Sequence, residues 1–193
     1  GVMATAYGHG AVECARAGVA AGADGLGVAV AAEGATLRAA GTRVPIVVLG
    51  GAPEGSEDLV VDHDLTPAVY AIESLERLAR AARHRGRMVS CHVKVDTGLG
   101  RLGVDPSGVV ALMAVARRLP EISVNGVFTH LSSADEDDSA YSRLQIQRFG
   151  EVLRAMDAAG FSVPLRHAAN SAGTLFYPEA WFDMVRPGLA LYG

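Results

Sequence analysis

Short apolar runs alternate with longer amphipathic segments along the whole chain. Apolar residues that recur at spacings of three and four are typical of a helix with one buried face, as in Leu75, Leu78, Ala79 and Ala82. On this basis we predict helices at 9–21, 33–40, 73–85, 107–118, 139–159 and 171–176. The apolar runs predict eight strands, at 2–3, 25–30, 45–49, 65–70, 88–95, 124–131, 164–168 and 184–191.

This order of elements predicts an α/β fold with a parallel sheet. Because consecutive parallel strands need a crossover and helices supply it, eight such units favour a closed (β/α)8 barrel of the TIM type. An open, doubly wound sheet is the alternative. Both ends of the chain lie in strand-like runs, so we expect the sequence to be truncated at both ends of a longer chain.

Composition and charge narrow the class of protein. Half of the 193 residues are hydrophobic and a fifth are charged, which is enough for a buried core. The net charge of -4 and the single lysine, Lys94, argue against a nucleic-acid partner. No apolar run approaches the roughly 20 residues of a membrane span. No signal peptide is visible, and the two cysteines, Cys14 and Cys91, fit a reduced compartment, so we expect a cytoplasmic protein. Met88 and Cys91 are predicted core residues, and the six histidines are too scattered for a metal site.

Polar residues cluster where the predicted strands end, which is the face that carries the chemistry of parallel barrels. Tyr7 is flanked by glycines that let the backbone approach an anion, and its hydroxyl can bond a phosphate; otherwise the segment is a turn with a packing phenol. Asn170 and Ser171 can offer amide and hydroxyl groups to a phosphate, or simply cap a helix. His130 is either an ordinary buried histidine or part of the site.

Three basic side chains follow the later strands. Lys94 and Asp96 alternate along one strand, which on its own favours an ordinary ion pair. Arg101 follows a glycine-rich turn, where it is either a solvated loop charge or a fork that binds a substrate carboxylate. Arg186 lies in an apolar strand, and a buried arginine needs acceptors because an unpaired buried charge is very costly.

Five segments, taken together, resemble the alanine racemase family, whose enzymes use pyridoxal 5'-phosphate (PLP) on an eight-stranded barrel. They are AYGHG at 6–10, KVDTGLGRLG at 94–103, FTHLSSADE at 128–136, HAANSA at 167–172 and RPGLALYG at 186–193. One such segment is a weak signal, whereas five in the family's order are specific, and the match covers nearly the whole chain.

The resemblance implies which residues bind the cofactor phosphate. Tyr7 is similar to the tyrosine that bonds it, and Ser171 and the backbone around Gly188 and Leu189 look like further ligands. Asn170 looks like part of the same cradle.

The resemblance also implies roles around the cofactor ring and the substrate. Arg186 looks like the arginine that faces the pyridine nitrogen, and His130 like the histidine beside the ring. Arg101 is similar to the arginine that helps to hold the substrate carboxylate, and Lys94 occupies a position that carries a carbamylated lysine in some members. Because arginine does not give up its proton, the pyridine stays unprotonated, which we interpret as a way to suppress side reactions.

The activity implied is the interconversion of L- and D-alanine by a base on each face of the α-carbon, which supplies D-alanine for peptidoglycan. We expect residues 1–193 to form the PLP-binding barrel domain, and the C-terminal β domain to lie outside this chain. The second base is a tyrosine of that domain from the partner subunit, so we expect a homodimer, and we expect the fragment alone to be inactive.

The sequence departs from the family at the Schiff-base lysine. In the family, a pattern of two apolar residues, Lys, Ala, any residue and Ala precedes Tyr-Gly-His-Gly, whereas this chain reads VMATA at 2–6. Either Met3 replaces the lysine, or a lysine belongs between Met3 and Ala4. We favour the second, because a lysine that carries PLP is a modified residue.

Other functions remain open at this point. If Met3 truly replaces the lysine, the chain is a catalytically silent PLP-binding module. A racemase of serine or of another small amino acid is a close alternative within the enzyme class. An unrelated sugar-phosphate barrel would share the phosphate cradle but gives no reason for Arg186.

Overall fold

Strands and helices alternate through all 193 residues that the computed structural model describes. The strands are β1 (Leu26–Val28), β2 (Ile46–Val48), β3 (Thr66–Val69), β4 (Val89–Lys94), β5 (Ile122–Phe128) and β6 (Leu165–His167). The helices are α1 (Met3–Tyr7), α2 (Ala11–Ala20), α3 (Ala31–Ala39), α4 (Glu57–Asp62), α5 (Ile72–His84), α6 (Val109–Ala116), α7 (Ala140–Ala158) and α8 (Ser171–Phe176). Short 3-10 turns lie at Pro106–Gly108, Pro178–Ala180 and Leu189–Leu191.

The six strands form one parallel sheet in which each strand pairs with the next along the chain, in the order β1-β2-β3-β4-β5-β6. A doubly wound sheet reverses its strand order at a switch point, so the sequential order rules out that alternative. Helices connect the strands, as the predicted alternation required. The structure is therefore part of an α/β barrel.

Two of the eight predicted strands were wrong. Residues 2–3 run directly into α1, and residues 184–191 contain Pro187, which has no N–H to donate, followed by the 3-10 turn. Single hydrogen bonds remain in their place: Arg186 N–H to Ala169 O at 3.0 Å, the Gly1 amino group to Pro187 O at 2.6 Å, and Val2 N–H to Gly27 O at 2.9 Å. The predicted closed eight-stranded barrel is thus corrected to six regular strands whose two edges meet through irregular segments.

The core lies between the sheet and the helices. On α5, the predicted apolar face is confirmed, because Leu75, Leu78, Ala79 and Ala82 are all buried. Cys91 is buried as predicted, and burial raises the pKa of its thiol to about 12. None of the helices combines the length and the apolar character needed to cross a bilayer.

One smaller expectation failed, and one helix was missed. Met88, a predicted core residue, is 67 % exposed, since it precedes the first buried residue of β4. Helix α4 was not predicted, because its first turn is acidic and hides the short apolar stretch that follows. Its Glu57 is nevertheless buried, where it pairs with Arg77 at 2.6 Å.

Helix α1 is left-handed. Ala4, Thr5, Ala6 and Tyr7 have φ values of 48°, 57°, 56° and 54°, a conformation that costs a residue with a side chain about 1–2 kcal/mol. The Glu33 carboxylate accepts the Ala4 N–H at 2.7 Å and so holds the start of the turn. This turn directly follows Val2, whose N–H donates to Gly27 O of β1, and it brings the Tyr7 hydroxyl against Gly188.

Candidate active site

Arg186 lies at the centre of the site. Its Nη1 donates to Nδ1 of His167 at 2.6 Å, and its Nη2 donates to the carbonyl oxygens of Thr129 at 2.8 Å and Ala168 at 3.0 Å. Every one of these acceptors is uncharged, and burial lowers the pKa of the guanidinium to about 9. The third nitrogen, Nε, is buried, and its N–H has no partner. Two nitrogens of Arg186 therefore have the acceptors that the sequence analysis required, and the third nitrogen has none.

Two histidines extend this network into the barrel. His167 is fully buried, and its Nε2 lies 2.9 Å from Nδ1 of His92. The His167 ring stacks on Phe128, with centroids 4.7 Å apart and planes 5° apart. An added Cβ at Gly126 would meet the His92 ring at 2.8 Å, so a glycine is required beneath that ring. His92 is a residue that the sequence argument missed, although the alternation of β4 places it on the same side as Lys94.

Tyr7, Ser171 and Gly188 form a polar pocket at the chain's carboxyl-terminal segment. Ser171 Oγ accepts the N–H groups of Gly188 at 2.9 Å and Ala190 at 3.2 Å. A Cβ built on Gly188 would lie 2.7 Å from the Tyr7 hydroxyl, so glycine is what lets this hydroxyl approach the backbone closely. Asn170 caps α8 by accepting the Gly173 N–H at 2.9 Å, which makes it a support of this pocket.

The positively charged groups and His130 also come together. The Lys94 side chain is buried, and its ammonium makes one hydrogen bond, to Leu49 O at 3.3 Å. Burial, and then the positive charges of Arg101 and Arg186, lower the pKa of Lys94 to about 8. Burial and these same arginines, with Lys94, lower the pKa of His130 to about 3. His130 is therefore neutral, and the mouth of the barrel is strongly electropositive.

The loop that follows β4 presents Arg101. The strand pattern on its own favoured an ion pair between Lys94 and Asp96, and the structure does not contain it. Instead, the Asp96 carboxylate accepts the N–H groups of Gly98 at 2.9 Å and Gly100 at 3.0 Å. Arg101 is exposed and makes no hydrogen bond or ion pair within the chain. Its guanidinium is thus free to bind an anion.

A stripe of polar residues on α7 was also missed. Tyr141, Gln145 and Arg148 contact the loops after β4 and β5, although α7 also contributes core residues. The signal was present in the sequence as polar residues at spacings of four and three on a face that elsewhere is apolar.

The whole chain is similar to a family of known proteins. The family model described as "Alanine racemase, N-terminal domain" matches residues 2–193. The chain belongs to the alanine racemase family. Among curated relatives, the alanine racemase of Symbiobacterium thermophilum is 47% identical over 192 residues, which cover 100% of this chain and 51% of the relative. Alanine racemase 1 of Oceanobacillus iheyensis is 42% identical over 193 residues, with 100% and 51% covered.

Solved alanine racemase structures share the fold. The enzyme of Clostridium difficile 630 in complex with cycloserine superposes with a TM-score of 0.96 at 34% identity, covering 100% of this chain and 53% of that one. The enzyme of the D-cycloserine producer Streptomyces lavendulae has a TM-score of 0.94 at 39% identity, with 100% and 51% covered. The chain spans about half the length of the curated relatives it matches.

A phosphorylated pyridine, which alanine racemases would require, has matching groups here. The unpartnered Nε–H of Arg186 is a buried donor that lacks an acceptor, and a ring nitrogen is one. The Tyr7 hydroxyl packed against Gly188, the Ser171 hydroxyl and the N–H groups of Gly188 and Ala190 lie together and are the kind of donors that a phosphate needs. In contrast, the structure contains no group of three or more His, Cys, Asp or Glu side chains that could hold a metal ion.

Proposed function

We propose that this chain is the cofactor-binding domain, residues 1–193, of a PLP-dependent racemase that interconverts L- and D-alanine. The observation that carries the proposal is the buried Nε–H of Arg186, which has no acceptor within the chain. An unsatisfied buried donor costs about 1–3 kcal/mol, so a ligand that supplies the acceptor is strongly favoured. The D-alanine formed would serve peptidoglycan synthesis in the cytoplasm.

The phosphate of PLP is assigned to the pocket of Tyr7, Ser171 and Gly188. The Tyr7 and Ser171 hydroxyl groups would donate to it, and the N–H groups of Gly188 and Ala190 would donate to it in place of Ser171 Oγ, while Leu189 continues the backbone of the cradle. Asn170 contributes by fixing α8, since its amide is already engaged with Gly173 N–H and Leu131 O. All these donors are neutral, so orientation rather than charge determines how well they bind.

Arg186 and His130 would flank the pyridine ring. Arg186 donates from Nε without being able to transfer its proton, so the ring nitrogen stays unprotonated. When bound, PLP withdraws electrons from the α-carbon and so acidifies the α-proton of the amino acid. His130, neutral because its pKa is lowered to about 3, adds no second proton donor of comparable strength at this place.

Arg101 is the proposed ligand of the substrate carboxylate. It is unpaired within the chain and has the planar fork that matches a carboxylate. A carbamate on Lys94 would place a negative charge next to Arg101 and Arg186. The lowered pKa of Lys94, about 8, supports this assignment, because only the neutral amine reacts with CO2.

Two bases would exchange the α-proton on opposite faces of the α-carbon. One is the lysine expected next to Met3, and the other is a tyrosine from outside this chain. A homodimer in which the partner subunit completes the site is supported by large apolar side chains left exposed near the pocket's own segment: Leu175 (63%), Phe176 (65%), Leu189 (59%) and Leu191 (62%).

The first experiment tests activity and the lysine together. The complete protein, supplied with PLP, should racemise L-alanine faster than L-serine, and a peptide mass across Val2 to Tyr7 should show one additional lysine. A plain Met3-Ala4 bond, together with PLP binding but no racemisation, would instead support the silent PLP-binding module. Racemisation that is faster with serine would support the racemase of another small amino acid.

The second experiment tests the role of Arg186. In Arg186→Lys, a single ammonium cannot donate in all the directions that the guanidinium serves, so we expect PLP affinity to fall by at least roughly tenfold. Arg166→Lys is the matched control, because Arg166 forms an exposed ion pair with Asp183 at 2.7 Å and contacts none of the pocket. Equal PLP affinity in both variants would remove the main support for a ring nitrogen at Nε.

A further inference from the structure

Side chains of helix α7 form hydrogen bonds to the two loops that carry Arg101 and His130. Tyr141 Oη donates to Gly98 O at 2.7 Å, and Arg148 Nη1 donates to Thr97 O at 3.0 Å. Together with Gln145, these side chains lie at spacings of four and three, and so on one face of the helix. Along that face, Gln145 is fully buried, Arg148 is half-buried and Tyr141 is 41% exposed.

Gln145 forms hydrogen bonds to both loops. It is fully buried, and its Oε1 accepts from the N–H of Ser132 at 2.9 Å and from the Ser132 hydroxyl at 3.1 Å. Its Nε2 donates to His130 O at 3.2 Å and to Thr97 Oγ1 at 3.4 Å. The amide orientation is fixed chemically, because a backbone N–H must donate and a carbonyl must accept.

The two loops are also joined to each other directly, through the Thr97 hydroxyl to which Gln145 donates. Thr97 Oγ1 lies 2.7 Å from Thr129 Oγ1, so the residue that begins the Arg101 loop is joined to the residue that precedes His130. Thr97 and Thr129 are each 1% exposed. Since the Arg101 guanidinium has no partner within the chain, its position follows from the backbone of this loop.

A buried amide in a helix that otherwise packs Phe149, Val152 and Met156 into the core needs a reason, because burying it without hydrogen bonds would be costly. All partners of Gln145 belong to the two loops of the site. We infer that Gln145 is a positioning residue that sets the carboxylate-binding Arg101 relative to His130. This inference rests on the proposed function, since it assigns the carboxylate of the substrate to Arg101.

The test compares Gln145→Met with Gln147→Met in the complete, PLP-loaded protein. Gln147 is two residues away on the exposed side of α7, where it bonds Glu151 at 2.9 Å. For Gln145→Met we expect KM for alanine to rise roughly tenfold, kcat to change less, and PLP affinity to stay within about twofold. Gln147→Met should leave all three unchanged. The inference would be overturned if KM were unchanged in Gln145→Met. It would also be overturned if KM rose while kcat and PLP affinity fell by similar factors.

Thr97→Val keeps the test valid if Gln145→Met fails to fold. The change is close in shape and removes only the hydroxyl that joins Gln145 to Thr129, and it should raise KM in the same direction. In a double-mutant cycle the two effects should be less than additive, because both act on one network.

Amide hydrogen exchange gives a readout that needs no catalysis. The Gly98 and Gly100 amides, which bond Asp96, should exchange faster in Gln145→Met and not in Gln147→Met. If the wild-type protein does not racemise alanine, the proposed function fails, whereas this exchange result still decides whether Gln145 holds the loop. Unchanged exchange rates with an active wild-type protein would reject the positioning role alone.

Discussion

Arg186 Nη1 lies 2.6 Å from Nδ1 of His167, and this contact determines where the protons sit on two buried histidine rings. A guanidinium can only donate, so Nδ1 of His167 accepts and its ring proton is on Nε2. That proton is donated to Nδ1 of His92, 2.9 Å away, which leaves the proton of His92 on its own Nε2. Burial and the charge of Arg186 lower the pKa of His92 to about 4 and that of His167 well below its usual value.

The first prediction is that both rings are neutral and carry the proton on Nε2. Nitrogen-15 NMR of the protein near neutral pH should show His92 and His167 with one protonated and one unprotonated nitrogen each, and with Nδ1 unprotonated in both. The exposed His84, outside the network, serves as the reference ring. A protonated Nδ1 on His167 would contradict this order of hydrogen bonds, because two N–H donors would then face each other between Arg186 and His167.

The second prediction concerns stability in acid. Folding lowers the pKa of His92, His130 and His167, so below about pH 6.5 the unfolded chain binds protons that the folded chain does not. The contribution of these histidines to the free energy of unfolding is therefore fully present above that pH, and it decreases as the pH falls. With three such groups the slope should approach about 4 kcal/mol per pH unit near pH 5.

Denaturant unfolding of the apoprotein at several pH values measures this slope. His130→Leu removes one of the three groups without breaking a side-chain hydrogen bond, and should reduce the slope by about 1.4 kcal/mol per pH unit. His84→Leu, on the exposed end of α5, should leave it unchanged. An equal slope in the wild type and in His130→Leu would show that His130 is protonated in the folded protein.

The third prediction is a carbamate on Lys94. With a pKa of about 8, about half of these amines are neutral at pH 8, whereas an ordinary lysine is almost fully protonated. The neutral nitrogen bonds to the carbon of CO2 and loses a proton to solvent, and the resulting anion is stabilised by Arg101 and Arg186. Carbon-13-labelled bicarbonate should give a carbamate NMR signal that weakens as the pH is lowered to about 6. The signal should be absent from Lys94→Arg, and its persistence there would assign it to another amine.

The sequence predicted the regular part of the fold well because its physical signals are local. The alternation of apolar runs and amphipathic segments located all six strands that form, and the apolar face of α5, from spacing alone. It failed where long-range contacts decide the conformation. Residues 2–3 and 184–191 have strand-like composition, but the left-handed turn at Ala4–Tyr7 and the missing N–H of Pro187 limit each to single hydrogen bonds.

The site divides in the same way. Tyr7, Ser171, Lys94, Arg101 and Arg186 were predicted as site residues from their motifs, and contacts and charge interactions link their segments in the structure. His92 and Gln145 were not, because neither belongs to a motif and each acts through another residue. Their roles depend on partners 75 and 13 to 48 positions away in the chain, which spacing along one element does not reveal.

The last prediction concerns the left-handed turn. Thr5 is exposed, its side chain makes no hydrogen bond, and its φ of 57° is strained for a β-branched residue. In the chain with a direct Met3–Ala4 bond, Thr5→Gly should remove this strain and stabilise the apoprotein by about 1 kcal/mol, after allowance for the greater flexibility of glycine in the unfolded chain. The same substitution at Thr36 is the matched control, because Thr36 is exposed in the right-handed helix α3 and its hydroxyl bonds Ala32 O at 3.0 Å. Thr36→Gly should destabilise by about 0.5 kcal/mol, since glycine is a poorer helix former. Unfolding midpoints in denaturant compare the two variants, and a loss of stability in both would mean that Thr5 does not adopt the left-handed conformation in solution.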